Sequence, residues 1–133
     1  MSKSNVQELF ASYDEQYQRA MKELLRPSHA VVAYAVCASV REALYGYLTC
    51  LYMLHVKEHN GIWEQANSVD DLLVLCRKHD EELNKIDFSP LYCQQKNMHD
   101  EDRVVFCQDL DTIKECARLT EKVRTLVHKK LDS

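Results

Sequence analysis

The chain has 133 residues, 46% of them hydrophobic, with only two glycines and two prolines. It is long enough to bury one core without disulfides or metal, and its shortage of turn formers points to few, long helices. A formal charge of −4 and a pI near 5.8 exclude a global positive field that would recruit nucleic acid or anionic membrane. With Gly46 and Gly61 the only glycines, phosphate-cradling loops and dinucleotide motifs are excluded too.

In residues 3–25, Val6, Phe10, Tyr13, Tyr17, Met21 and Leu24 recur at three-and-four spacing with charges between them. That predicts a first amphipathic helix. Pro27 ends it, because the residue before a proline avoids the α region. Ser28 can then cap a second helix that runs without proline to Asn60 and Gly61, residues favoured just past a helix end. Val32, Val36, Val40, Ala43, Tyr47, Leu51 and Leu54 form its core stripe. A second row, Tyr34, Ala38, Arg41, Tyr45 and Tyr52, repeats at helical spacing on the far side. Residues 31–54 have the length of a membrane span, but Arg41 and Glu42 at their midpoint point to a helix buried in protein and to no membrane association. The start, MSKSNVQELF, has no apolar run of the signal-peptide kind, so a cytoplasmic location is expected.

Ser68 and Asp71 offer capping chemistry for a third helix over 69–84, with Val69, Leu72, Leu73, Cys76 and Leu83 inward. Residues 85–108 keep no period and read as a long excursion with one helical turn. Asp109 or Asp111 can cap a fourth helix over 109–131, its inner face Ile113, Cys116, Ala117, Thr120, Val123 or Arg124, Val127 and Leu131. No repeat or internal boundary interrupts the chain, so residues 1–133 read as one all-α domain, an up-and-down antiparallel four-helix bundle with a partly irregular segment before its last helix.

Three stretches carry a family resemblance: Ala30 to Leu54 with Arg41-Glu42-Ala43-Leu44 at its centre, Ser68 to Leu73, and Cys116-Ala117 through Leu131. In this order and patterning the chain resembles the HEPN family (higher eukaryote and prokaryote nucleotide-binding domains). The resemblance implies a helical bundle that dimerises, and a link to nucleotides or RNA. It also implies a pairing with a small nucleotidyltransferase of the toxin and antitoxin kind. The family's active branch is a metal-independent ribonuclease with an Arg-x(4-6)-His motif. The nearest approach here, Arg124-Thr-Leu-Val-His128, has three intervening residues, so no catalytic residue is carried over.

Read from the residues themselves, Arg124 and His128 lie one turn apart on a helix and share a face. They could set a general acid or base beside a phosphate-binding guanidinium, or simply complement the helix C-terminus. His55-Val-Lys-Glu58-His59 spells an inverted zinc-protease motif, but a third ligand is not evident, so neither metal nor other cofactor is expected. Tyr34, Arg41, Tyr45 and Tyr52 combine contact area with hydrogen bonding, which suits a homodimer or partner interface, the alternative being burial in the bundle. Lys114, Arg118, Lys122 and Lys129 form a stripe that could meet RNA phosphates or only solvate the last helix. The six cysteines never occur as Cys-x-x-Cys and read mostly as small core residues.

Overall fold

The computed structural model describes residues 3–58, 68–92 and 109–132, for residues 3, 4, 57, 58 and 92 in the backbone only. Helices and the short turns between them make up these segments. Four α-helices are present, α1 (Lys3–Leu24), α2 (Ala33–Glu58), α3 (Val69–Arg77) and α4 (Leu110–Asp132), and no strand occurs among the described residues.

The ends of these helices follow local chemistry. Leu24 closes α1, and the chain then makes a short 3₁₀ turn, Ser28–Ala30, before an extended Val31. Ser28 therefore does not cap the second helix as its position suggests. The first α-type bond of α2 runs from the Val36 N–H to the Val32 carbonyl, 3.2 Å, so the helix begins at Ala33 rather than at 28. Ser68 does cap α3: its hydroxyl accepts from the Asp71 N–H at 3.1 Å. That helix stops at Arg77, well short of residue 84. The N–H groups of His79 and Asp80 both turn back to the Cys76 carbonyl, and the Asp80 carboxylate then accepts from the Glu82 N–H at 3.0 Å. This local side-chain bond offers the backbone an alternative to helix. Two more 3₁₀ turns follow, Leu83–Lys85 and Ser89–Tyr92; the Asp87 carboxylate leads into the second, accepting from the Ser89 N–H at 2.9 Å. Asp109 caps α4, with Thr112 Oγ1 donating to its carboxylate at 2.7 Å.

α2 is the spine, touching α1, α3 and α4. Val36, Val40, Ala43, Tyr47, Leu51 and Leu54 of its core stripe are buried, and Leu44, Leu48 and Cys50 between them are buried as well. A helix with three neighbours has apolar side chains nearly all round. Val32, assigned to that stripe by its spacing, precedes the helix and is 48% exposed. α1 contributes Val6, Phe10, Tyr17 and Ala20 to the core, and α4 contributes Ile113, Cys116, Ala117, Leu119, Thr120, Val123, Val127 and Leu131. The buried Thr120 hydroxyl donates to the Cys116 carbonyl at 2.7 Å, so no polar atom is stranded there.

Contacts fix the relative register. Val6 meets Cys50, Asp14 meets Tyr47 and Gln16 meets Glu42, so partner numbers on α2 fall as those on α1 rise. Across α1 and α4, Phe10 faces His128, Asp14 faces Arg124 and Tyr17 faces Ala117, again in opposite senses. No described helix is long and apolar enough to cross a membrane.

Candidate functional site

The densest polar arrangement lies where α1, α2 and α4 meet. Asp14 comes from the middle of α1, Tyr47 from the centre of α2 and Arg124 from the second half of α4. Arg124 grips the Asp14 carboxylate with two donors, Nε to Oδ1 at 2.5 Å and Nη2 to Oδ2 at 3.3 Å, while Nη1 reaches Glu121 Oε1 at 3.2 Å. Tyr47 completes the set by donating its hydroxyl to Asp14 Oδ1 at 2.7 Å. A forked guanidinium on a carboxylate is among the stronger polar contacts a protein makes.

The electrostatics follow from these partners. Burial opposes ionisation of Asp14, but hydrogen bonds from Arg124 and Tyr47 outweigh it and hold the carboxyl below its ordinary 3.8. Arg124 is moved the other way, chiefly by its hydrogen bond to Asp14. Burial raises the hydroxyls of Tyr47 and Tyr17 well above the phenol range, and at Tyr47 the Asp14 carboxylate adds to it. At neutral pH the network is thus a carboxylate, a guanidinium and neutral phenols.

His128 stands one turn beyond Arg124. Its ring meets Phe10 edge-on at 6.1 Å between centroids, and Nδ1 lies 3.1 Å from Asp132 Oδ2, with both partners largely in solvent. Arg124, Thr125, His128, Lys129 and Asp132 line one shallow depression of about 430 Å³. The structure therefore brings the Arg124 and His128 pair to a common surface. The charges there do not favour phosphate: Arg124 and Lys129 stand against Asp132 and the two carboxylates, Asp14 and Glu121, already on Arg124.

The four side chains that periodicity placed on one outward row of α2 do not share one surface. Tyr34 is 56% exposed, whereas Tyr52 is 2% exposed and belongs to the core. Tyr45 is half-buried against that core. Arg41, half-buried, donates through Nη1 to the Leu91 carbonyl at 2.8 Å and so holds the Ser89–Tyr92 turn against α2. Contacts from within the chain cover much of the face that looked spare in the sequence.

Lys114, Arg118, Lys122 and Lys129 are likewise divided. Lys114 and Arg118 rim an apolar groove of about 310 Å³ between α1 and α4, with Tyr17, Met21, Leu24, Ala117 and Glu121. Lys122 lines a different depression with Glu82, Lys85, Ile86 and Leu126. Lys129 faces the His128 depression and a neighbouring one that includes Asp80, Glu81 and Glu82.

His55, the first residue of the inverted zinc motif, is buried at the α2 end, with Nε2 3.6 Å from Asp80 Oδ2 and its ring 5.7 Å from that of His79. The Glu58 side chain and His59 lie outside the described residues. Among the described residues no group of three His, Cys, Asp or Glu side chains is placed to hold a metal ion. Cys37, Cys50, Cys76 and Cys116 are buried thiols outside any disulfide; burial pushes Cys50 and Cys76 up to about 12, which leaves them protonated at neutral pH. Cys93 and Cys107 lie outside the described residues.

The residue that sequence reasoning missed is Asp14. It reads as one interleaved charge of α1, and only its helical offsets of four from Phe10 and three from Tyr17 hint that it borders the inner face. No family model, curated protein or solved structure matches the chain.

Proposed function

We propose that this chain is a HEPN-like binding module, an up-and-down helical bundle that works as a homodimer in the cytoplasm, rather than an enzyme. Its connection to nucleotide or RNA, and its pairing with a nucleotidyltransferase, rest on the resemblance of residues 30–54, 68–73 and 116–131 to that family. The observation that carries the non-catalytic reading is the occupied guanidinium of Arg124, bonded to Asp14 and Glu121 inside its own chain. A ribonuclease using Arg124 and His128 would need that guanidinium to turn to a phosphate, leaving Asp14 as a part-buried carboxylate without its charged partner and held only by the Tyr47 hydroxyl.

Support for self-association comes from the end of the bundle where α1 passes into α2. Leu25 is 86% exposed there, Val32 48% and Tyr34 56%. Large apolar side chains left in water within one short stretch of chain are the kind of feature that marks contact surfaces. Tyr34 is the residue of the proposed interface row that meets solvent most fully, and Arg41 and Tyr45 follow about two and three turns further along α2 in half-buried positions. Sedimentation of the wild type is expected to give a dimer, weakened in Tyr34→Glu. A wild type that stays monomeric at its highest soluble concentration would remove the reading. Cleavage of RNA by the wild type but not by His128→Ala would replace it with the ribonuclease.

A further inference from the structure

The seam between α1 and α4 leaves apolar surface open to solvent. Both helices pack along α2, and they meet each other through a few bridges, such as Asp14 to Arg124 and Tyr17 to Ala117. Toward the end of α1 and the start of α4, Met21, Leu24 and Ala117 floor a groove of about 310 Å³. Lys114 and Arg118, exposed and one helical turn apart, stand on its α4 lip. Neither makes an ion pair or hydrogen bond among the described residues. The acid on the same lip, Glu121, is already held by Arg124. By contrast Arg19, Arg26 and Arg124 each hold a carboxylate of their own chain.

Shape and chemistry together narrow the occupant. The groove is a shallow trough, too open to enclose most of a small ligand's surface as a ligand pocket does. Single-stranded nucleic acid needs an exposed ring to stack on, and the aromatic side chain here, Tyr17, is buried with its hydroxyl on the Ala117 carbonyl. No strand occurs among the described residues, so no sheet edge is offered to the backbone of an extended peptide. A helix satisfies its own backbone and can lay an apolar stripe along the trough. Alanine at 117 leaves room beside Met21 and Leu24 for a large incoming side chain.

The lip decides the charge of that helix. Two cations one turn apart, with no partner of their own, match two carboxylates one turn apart on an incoming helix, whichever way it runs. We propose that the α1/α4 groove docks an acidic amphipathic helix of a different protein, its apolar stripe over Met21, Leu24 and Ala117 and its carboxylates on Lys114 and Arg118. A different protein supplies it because each described helix of this chain already buries its main apolar stripe in the chain's own core. The inference concerns this groove alone and goes beyond the homodimer proposed above, which it neither needs nor excludes.

The test is titration of the wild type and its variants with labelled amphipathic peptides of about 18 residues, long enough to hold a helix. The first carries leucine along one stripe and glutamate on both flanks, the second lysine in place of the glutamates, and the third serine in place of the leucines. The wild type is expected to bind the first about tenfold or more tightly than either of the others. In Lys114→Glu with Arg118→Glu, both changes at exposed sites, the preference passes to the lysine-flanked peptide. The same change of charge at Lys78 and Lys85, exposed and outside the groove, leaves the affinity for the first peptide as in wild type. Equal binding of the glutamate and lysine peptides, no binding of the first, or a preference that survives the groove substitutions overturns the proposal. So does a groove variant that loses self-association, or binding to a single-stranded oligonucleotide, with no change in peptide preference, since a second copy or nucleic acid is then the occupant. A monomeric wild type with the expected peptide preference removes the homodimer and leaves this docking site standing.

Discussion

Two seams of the bundle are built on opposite principles. Between α1 and α2 the Tyr13 ring lies so close over Gly46 that a Cβ at that position would overlap it. Phe10 and Tyr17 pack their rings against Tyr47 at 5.4 and 5.8 Å in the same seam. Between α1 and α4 the helices are spanned by the Asp14 and Arg124 ion pair and then part to leave the groove rimmed by Lys114 and Arg118. The first seam tolerates almost no added volume at Gly46, and the second is spanned by a charged pair.

The comparison can be broken most severely at Gly46. A glycine inside a helix ordinarily costs about 1 kcal/mol relative to alanine, so replacing it should help. Here the added methyl has no room unless Tyr13 moves. Gly46→Val is expected to destabilise by about 3 kcal/mol or more, by the overpacking that forces neighbours off their rotamers. A shift of the denaturation midpoint well below wild type, partly recovered when Tyr13 is also shortened to alanine, would confirm the close approach. Unchanged stability would contradict it.

The bridged seam should respond less. Asp14→Asn leaves Arg124 without its charged partner and is expected to cost roughly 1–3 kcal/mol, tempered by the partial exposure of the pair. The effect should depend on pH. The Asp14 carboxyl ionises below its ordinary 3.8 in the folded chain, so its stabilisation is complete above about pH 4 and is lost as pH falls through the folded value. Denaturation of wild type and Asp14→Asn from pH 7 to pH 2 should show a constant gap that narrows only below about pH 4. Outside both seams, the exposed Arg19 and Glu15 pair should matter least: Arg19→Gln is expected to change stability by under about 0.5 kcal/mol.

The apolar packing of α1 on α2 was largely legible in the sequence, because helix period and apolar spacing are set by the same geometry that buries Val6, Phe10, Tyr17, Val40, Tyr47 and Leu51. Caps at Ser68 and Asp109 were legible for the same local reason. The early end of α3 was not, since Asp80 bonds the backbone of Glu82 and stops a pattern that Leu83 would otherwise extend. The outward row of α2 misled because periodicity identifies a face and not what covers it: Leu91 reaches Arg41 from far along the chain. For the same reason Asp14 went unnoticed, as its partner Arg124 lies on another helix.

The claim at the centre is that Arg124 is a strut between α1 and α4 and not a phosphate-binding group. A double-mutant cycle on Asp14→Asn and Arg124→Gln, read by chemical denaturation, tests it most directly. A coupling of roughly 1–3 kcal/mol is expected, since the pair is bidentate and only partly in solvent. Coupling near zero, with Arg124→Gln as stable as wild type, would contradict the account and return the guanidinium to candidate catalysis.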